Sequence, residues 1–201
     1  MNYLLDFDLL SKRYFVMRHG HSLANEQGLI VSHPENGCED FGLSRTGRVQ
    51  VEKSLRRQSG LNRATRIVSS DFRRARESAE IGFSALGCEV APVLEPRLRE
   101  RDFGEYELCP DTCYDDVWRE DALNADSRRR GVESVNQVMA RVTQVVRDLE
   151  NDLRGTTILL VSHGDALQIL QTAFAMRPGS AHRQLDHLHT AEIRQLILGS
   201  G

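Results

Sequence analysis

Two apolar runs that lie far apart in the chain end in the same way. Tyr14-Phe15-Val16-Met17 runs into Arg18-His19-Gly20-His21-Ser22, and Ile158-Leu159-Leu160-Val161 runs into Ser162-His163-Gly164. Short, nearly unbroken apolar runs suit strands buried on both faces, as in a parallel sheet covered by helices. In open sheets of that type the ligand crevice lies beyond the carboxyl ends of the strands. Two strand ends that each deliver His-Gly therefore predict one pocket, assembled from distant parts of the sequence.

The segments between these runs fit the same architecture. The first strand is expected over about 13–17. Residues 20–43 carry Gly28, His33-Pro34, Asn36-Gly37 and Gly42 and read as a long loop. Ser44 is placed to cap a helix that runs to Gln58 and is closed by Gly60. Residues 66–69 read as a short strand, followed by a helix capped by Ser70 or Asp71 that runs to Leu86 and ends at Gly87. Residues 88–91 read as a further strand, 92–109 as loop, and 111–127 as one or two helices carrying Trp118. Between Gly131 and Leu153, Val135, Val138, Met139, Val142, Val145, Val146 and Leu149 recur at threes and fours. That is an amphipathic helix face, with Gly155 as its stop. Residues 165–176 form the next expected helix and 191–198 a last strand, while 1–12 stand apart as an N-terminal arm in which Leu4, Leu5, Leu9 and Leu10 can pack a short helix. The alternation predicts an α/β three-layer sandwich, a mainly parallel central sheet flanked by helices. A single domain over 13–201 carries a small cap inserted at about 105–130.

Composition narrows the partners. The chain has 201 residues, 40% of them hydrophobic and 27% charged, enough to bury a good core. A net charge of −3 lacks the basic excess that nucleic-acid binding requires, so no nucleic-acid partner is expected. The apolar runs are far too short to span a membrane. Residues 1–12 are interrupted by Asp6 and Asp8 and lack the basic-then-apolar order of a signal peptide. A cytoplasmic location is expected, where Cys38, Cys88, Cys109 and Cys113 fit reduced thiols. Cys109 and Cys113 have no matching Cys/His pair at ligand spacing, so no metal site is expected.

Arg18-His19-Gly20 gains weight from its companions. These are Ser22-Leu23-Ala24-Asn25, Leu43-Ser44-Arg45-Thr46-Gly47-Arg48-Val49-Gln50, and the stretch from Ser69 through Arg73-Arg74-Ala75-Arg76 to Ala79. Leu98-Arg99-Glu100-Arg101-Asp102-Phe103-Gly104, Gly131-Val132-Glu133-Ser134 and Val161-Ser162-His163-Gly164 follow in order. On these stretches, from about residue 13 to 197, the chain resembles the histidine phosphatase superfamily, which includes cofactor-dependent phosphoglycerate mutases and fructose-2,6-bisphosphatases.

The resemblance implies a role for each site residue. His19 would attack phosphorus and form a phosphohistidine that water then hydrolyses, splitting one hard step into two. An imidazole has an ordinary pKa of about 6.5, so a neutral nucleophilic nitrogen is available. Arg18 and Arg74 would bind the phosphoryl oxygens through their planar guanidinium forks. Spacing alone does not choose between Arg73 and Arg74. The Arg-Ala pair of the family pattern selects Arg74 and leaves Arg73 and Arg76 on a solvated helix face. His163 would complete the phosphate pocket, and the helix beginning near Gly164 would add N–H donors. Ser22 and Asn25 either hydrogen-bond the substrate or stabilise their own turn. Glu100 would be the general acid. Charge pattern alone leaves Asp102 and Glu105 as rivals, and the Leu-x-Glu and Phe-Gly framing of the family favours Glu100. His21 and Asp165 depart from the pattern, standing where Glu or Gln and a small residue are common. His21 is either a second titrating group beside the substrate or a turn residue.

The expected activity is hydrolysis of a phosphate monoester, with no metal and no cofactor, on a small phosphorylated metabolite or a phosphoprotein. Dedicated mutases of the family carry a larger insertion between the glutamate and the second histidine. The interval from Glu100 to His163 holds only a modest cap, which favours hydrolysis. The alternatives are a phosphoglycerate-mutase-type phosphotransferase and a non-catalytic phospho-ligand-binding module, which would not need the acid. Specificity falls to residues 26–42 and 105–130, and Arg128-Arg129-Arg130 reads as a solvated run or as the contact for a second phosphate or an acidic protein surface. No membrane partner is expected, and a homodimer is compatible with the chain.

Overall fold

The computed structural model describes residues 1–152 and 156–199. Strands β1 (Arg13–Arg18), β2 (Arg66–Ser69), β3 (Val93–Leu94), β4 (Thr157–Ser162) and β5 (Ile193–Leu196) form one sheet in the order β3-β2-β4-β1-β5. The β3-β2, β2-β4 and β4-β1 pairs are parallel, and β5 runs antiparallel to β1 at one edge. The mainly parallel α/β sandwich expected from the sequence is the fold observed.

Strand alternation builds the layers. Tyr14 and Val16 of β1 and Ile158 and Leu160 of β4 face one side, packed with Leu170 and Phe174 of α7 (Gly164–Phe174) and with Val138, Val142 and Val146 of α6 (Val135–Asp152). Phe15, Met17, Leu159 and Val161 face the other, against Val51 and Leu55 of α3 (Arg45–Arg57) and Ala75 and Ala79 of α4 (Arg73–Leu86). Both central strands are therefore buried on two faces, which is why their apolar runs are unbroken. Ser44 caps α3 by accepting the Gly47 N–H at 3.1 Å. Gly87 ends α4 in the left-handed region at φ 61°.

Several expectations need correction. Residues 20–43 contain two short helices, α1 (Leu23–Gln27) and α2 (Pro34–Gly37). A reciprocal Ser22–Asn25 capping box starts α1, left-handed Gly28 stops it, and a proline at the first position opens α2. The strand expected at 88–91 lies instead at Val93–Leu94, where the register pairs Val68 with Val93. The Glu89 N–H is tied to the Arg63 carbonyl at 3.1 Å, so residues 88–91 lead up to the sheet edge. Helix α3 is capped by Gln58 and reaches neither that residue nor Gly60. Phe72 is the N-cap residue of α4, and Ser70 helps by accepting the Phe72 N–H at 3.2 Å. In the arm, a single 3₁₀ turn (Tyr3–Asp6) buries Leu4 fully and Leu10 in part, while Leu5 and Leu9 are exposed. Leu153 and Gly155, expected at the end of α6, lie outside the described residues. Between Glu100 and α6 stand two 3₁₀ turns, the helix α5 (Tyr114–Leu123) and a turn at Arg129–Gly131.

Candidate active site

Strand register brings the two histidines together. The pair Arg18↔Ser162 is the last of the β1–β4 ladder, and His19 N–H continues it by donating to the Ser162 carbonyl at 2.9 Å. The next residues, His19 and His163, place their rings edge to face with centroids 5.1 Å apart. Both rings are buried.

The partners of His19 fix its tautomer. Nδ1 lies 2.7 Å from the Gly20 carbonyl, which can only accept, so Nδ1 carries the proton. Nε2 lies 3.1 Å from Nε–H of Arg74, which can only donate, so Nε2 presents its lone pair. Burial pushes the imidazole well below the usual histidine range, and Arg74 and Arg18 push it further. A neutral ring with a bare Nε2 is what nucleophilic attack on phosphorus requires.

Around it stand buried nitrogens without partners: Arg18 Nε, Arg74 Nη1 and His163 Nδ1. Orphaned buried polar atoms are costly, and three meeting in one place mark a site for an acceptor. The remaining atoms of these residues are anchored. Arg18 Nη1 donates to the Leu188 carbonyl at 3.0 Å, and Arg74 Nη2 to the Val31 carbonyl at 2.8 Å. His163 Nε2 meets Ser70 Oγ at 2.8 Å, and when Ser70 donates there, Nδ1 keeps its proton as a donor. Burial also pushes His163 well below the ordinary histidine range, with Arg74 adding to the effect. Such a cluster can hold a tetrahedral oxyanion through two guanidinium groups and an imidazole.

Of the three rival carboxyls Glu100 is buried, while Asp102 and Glu105 are exposed. Its Oε1 accepts the Arg101 N–H at 3.0 Å and the Ala166 N–H at 3.1 Å. Burial raises its pKa, the Asp165 charge raises it further, and Arg74 opposes both. Of the adjacent arginines, Arg74 is buried against His19, while Arg73 is exposed and tied to Glu77 and the Glu39 carbonyl.

Other expected residues sit in supporting positions. Ser22 and Asn25 bond each other: Ser22 Oγ donates to Asn25 Oδ1 at 2.9 Å and accepts Asn25 N–H at 3.2 Å. His21 places Nδ1 at 3.2 Å from Ser44 Oγ, on the helix behind the loop. Gly164 starts α7, and a Cβ there would sit 3.4 Å from Arg18 Cζ, so the small residue leaves the guanidinium its place. The first turn of α7 gives its Ala166 N–H to Glu100. Arg128, Arg129 and Arg130 are exposed, and Arg130 lies over the Tyr106 ring. Sequence reasoning missed Ser70 and Ser78. Ser78 accepts Gly20 N–H at 3.1 Å and donates to the Arg74 carbonyl at 2.7 Å, joining the two halves of the site. Both lie inside matched stretches, but serine carries no spacing signal of its own.

A family model described as the histidine phosphatase superfamily (branch 1) matches residues 14–201. The chain belongs to this superfamily. Among curated histidine phosphatases, a protein of Enterobacter sp. (strain 638) named "Probable phosphoglycerate mutase GpmB" is 32% identical over 176 residues, covering 85% of this chain and 78% of that protein. Among solved histidine phosphatase structures, one titled mycobacterial hydrolase 1 superposes with a TM-score of 0.74 at 27% identity, over 91% of this chain and 90% of that one. Mycobacterial glucosyl-3-phosphoglycerate phosphatase superposes with a TM-score of 0.73 at 25% identity, over 91% and 88%. The superfamily holds both phosphatases and mutases, and these relatives bear both kinds of name. Among the described residues no helix is long and apolar enough to cross a membrane.

Proposed function

We propose that the chain is a phosphomonoester hydrolase that works through a phosphohistidine on His19. The observation that carries this reading is the unprotonated Nε2 of His19 beside the unpartnered nitrogens of Arg18, Arg74 and His163. Nε2 attacks phosphorus as the P–O bond to the leaving alcohol breaks. Glu100, whose burial and Asp165 neighbour favour the protonated form, gives its proton to the departing oxygen. The resulting carboxylate then takes a proton from water as the water oxygen attacks phosphorus. The P–N bond breaks, and orthophosphate leaves with both His19 and Glu100 restored.

No metal is invoked, because two guanidinium groups supply positive charge, and His163 a ring nitrogen, against the phosphoryl oxygens. The substrate is a small phosphorylated metabolite or a phosphoprotein, and the printed names of the relatives make phosphoglycerates and their esters the first compounds to try. A cytoplasmic setting is supported by four free cysteines. Hydrolysis is favoured over mutation by the small cap, in which α5 is the one α-helix described between Glu100 and α6. The test supplies 3-phosphoglycerate with a bisphosphoglycerate primer. Release of phosphate should exceed isomerisation, whereas rapid formation of 2-phosphoglycerate without net phosphate would assign the chain to the mutases.

A further inference from the structure

Asp165 follows the second His-Gly and is buried, although carboxylates are seldom buried without a reason. It belongs to a closed ring of contacts around Glu100. The Arg101 N–H and the Ala166 N–H both donate to Glu100 Oε1. Arg101 returns through its guanidinium, whose Nη1 donates to Asp165 Oδ2 at 3.2 Å, and Asp165 is bonded directly to Ala166. The two backbone donors that hold the Glu100 carboxyl are thus themselves tied by an ion pair. Oε1 is fully occupied, and Oε2 accepts no hydrogen bond among the described residues.

The ring is also anchored to the cap. Trp118 of α5 donates Nε1–H to Asp165 Oδ1 at 3.0 Å. Arg101 grips Asp121 of the same helix through two bonds, of 2.6 and 2.7 Å. Within this buried cluster Arg101 is one cation against the two anions Asp121 and Asp165, so its net charge is negative. His182, the buried neighbour of Asp121, is pushed below the ordinary histidine range by its burial and adds no compensating charge at neutral pH. Arg183 lies 3.6 Å from Asp165 but is partly exposed, stacked on Trp118. Replacing buried ion pairs by apolar groups is often neutral or stabilising, so stability alone gives little reason for this arrangement.

We propose that Asp165 is a positioning residue for the reaction. Paired with Arg101, it holds the Glu100 carboxyl by Oε1, leaves Oε2 to carry the proton, and binds that carboxyl to the cap helix. Asp165 also keeps a negative charge beside the acid, which favours its protonated form. The other charged and titratable groups around Glu100 include Arg74 of α4, Tyr114 of α5, and Arg141 of α6, whose Nη2 donates to the Glu100 carbonyl at 3.1 Å and which is paired with Glu133; Arg99 and Asp102 line the same cavity as Glu100. The kinetic consequence rests on the reading of Glu100 as proton donor. The placement of the carboxyl does not.

The experiment separates the two. In ¹³C-labelled protein without substrate, the Glu100 side-chain carboxyl is followed by NMR through a pH titration and assigned by its loss in Glu100→Gln. Asp165→Asn should lower the Glu100 midpoint by about 1 pH unit or more, because a like charge has been removed from close range. Trp118→Phe loses the hydrogen bond but keeps the charge, and should leave the midpoint raised. Single-turnover phosphohistidine formation from an alkyl phosphate should show its basic limb moved down by the same amount in Asp165→Asn, with little change for p-nitrophenyl phosphate. An unmoved midpoint in Asp165→Asn, or an equal fall in Trp118→Phe, overturns the inference. A moved midpoint with unmoved alkyl-phosphate kinetics removes Glu100 from the role of acid and overturns a part for Asp165 in the reaction, leaving only its hold on the carboxyl. Should Asp165→Asn fail to fold, Asp165→Glu decides: it keeps the charge, and a midpoint that falls toward the ordinary carboxylate range overturns the proposal.

Discussion

Arg74 Nε–H donates to His19 Nε2 across 3.1 Å, so the guanidinium rests on the very nitrogen that the proposed chemistry needs. A lysine cannot copy this. It offers a point charge on a flexible stem, without the fork that bonds Nε2, the Val31 carbonyl and an oxyanion from one plane. Arg74→Lys should lower kcat by on the order of 10²-fold, the usual cost of losing one preorganised donor. Steady-state kinetics on any turned-over phosphomonoester checks this, and a loss below threefold would remove Arg74 from the site.

The tautomer of His19 predicts where the phosphoryl group goes. Enzyme quenched rapidly with ³²P-labelled substrate should carry label that is acid-labile and base-stable, and His19→Ala should carry none and turn nothing over. Label stable to acid, or substantial turnover by the variant, would move the nucleophile elsewhere.

A general acid matters in proportion to how badly the leaving oxygen needs its proton. Glu100→Gln should slow phosphohistidine formation from an alkyl phosphate by on the order of 10²-fold, and from p-nitrophenyl phosphate far less. Burst-phase or single-turnover data are needed, because the same carboxyl serves as base in the second step. Equal losses on both substrates would make Glu100 a positioning residue.

Stability should fall on mild acidification. Burial holds His19, His163 and His182 below the ordinary histidine range. Below about pH 6.5 the unfolded chain therefore binds protons that the folded chain refuses. Each such imidazole lowers stability by up to about 1.4 kcal/mol per pH unit between its unfolded and folded pKa values. Glu100 acts in the other direction, since its folded carboxyl keeps a proton above about pH 4.3, but it is one group against these three buried imidazoles and the exposed His187, which is also shifted down. Urea denaturation between pH 6.5 and 5 should show falling stability, with a shallower slope in His182→Asn, which lies outside the site. Identical slopes in both proteins would contradict this account.

Much of this was legible before any coordinates, for local reasons. The runs before His19 and His163 had to be central strands, because unbroken apolar stretches need cover on both faces. Ser44 announced its cap, and the buried heptad-like face of α6 announced its helix. What escaped was decided by partners far along the chain. The position of β3 depends on register with β2, not on its own two residues, Val93 and Leu94. Leu5 and Leu9 look as apolar as Leu4, but only Leu4 meets the core. Gly47 sits in a matched stretch with no evident purpose in sequence. In the structure its Cα faces the His21 backbone so closely that a Cβ would collide with the His21 carbonyl oxygen, so α3 buttresses the loop after His19. The cluster of Arg101, Asp121, Asp165 and Trp118 joins three segments, and apart from Asp165, which stands out against the family pattern, its members carry no signal one residue at a time.

The β1–β4 ladder joins Arg13 to Thr157, residues 144 apart. The chain must close more than two thirds of its length before that ladder can form, and such long closures slow folding. A nascent or truncated chain that ends before β4 holds His19 and Arg74 but lacks His163 and the Ser162 carbonyl that takes the His19 N–H. Turnover should therefore return only with the slowest refolding phase, after most helical signal has been recovered. Competence is acquired late and all at once.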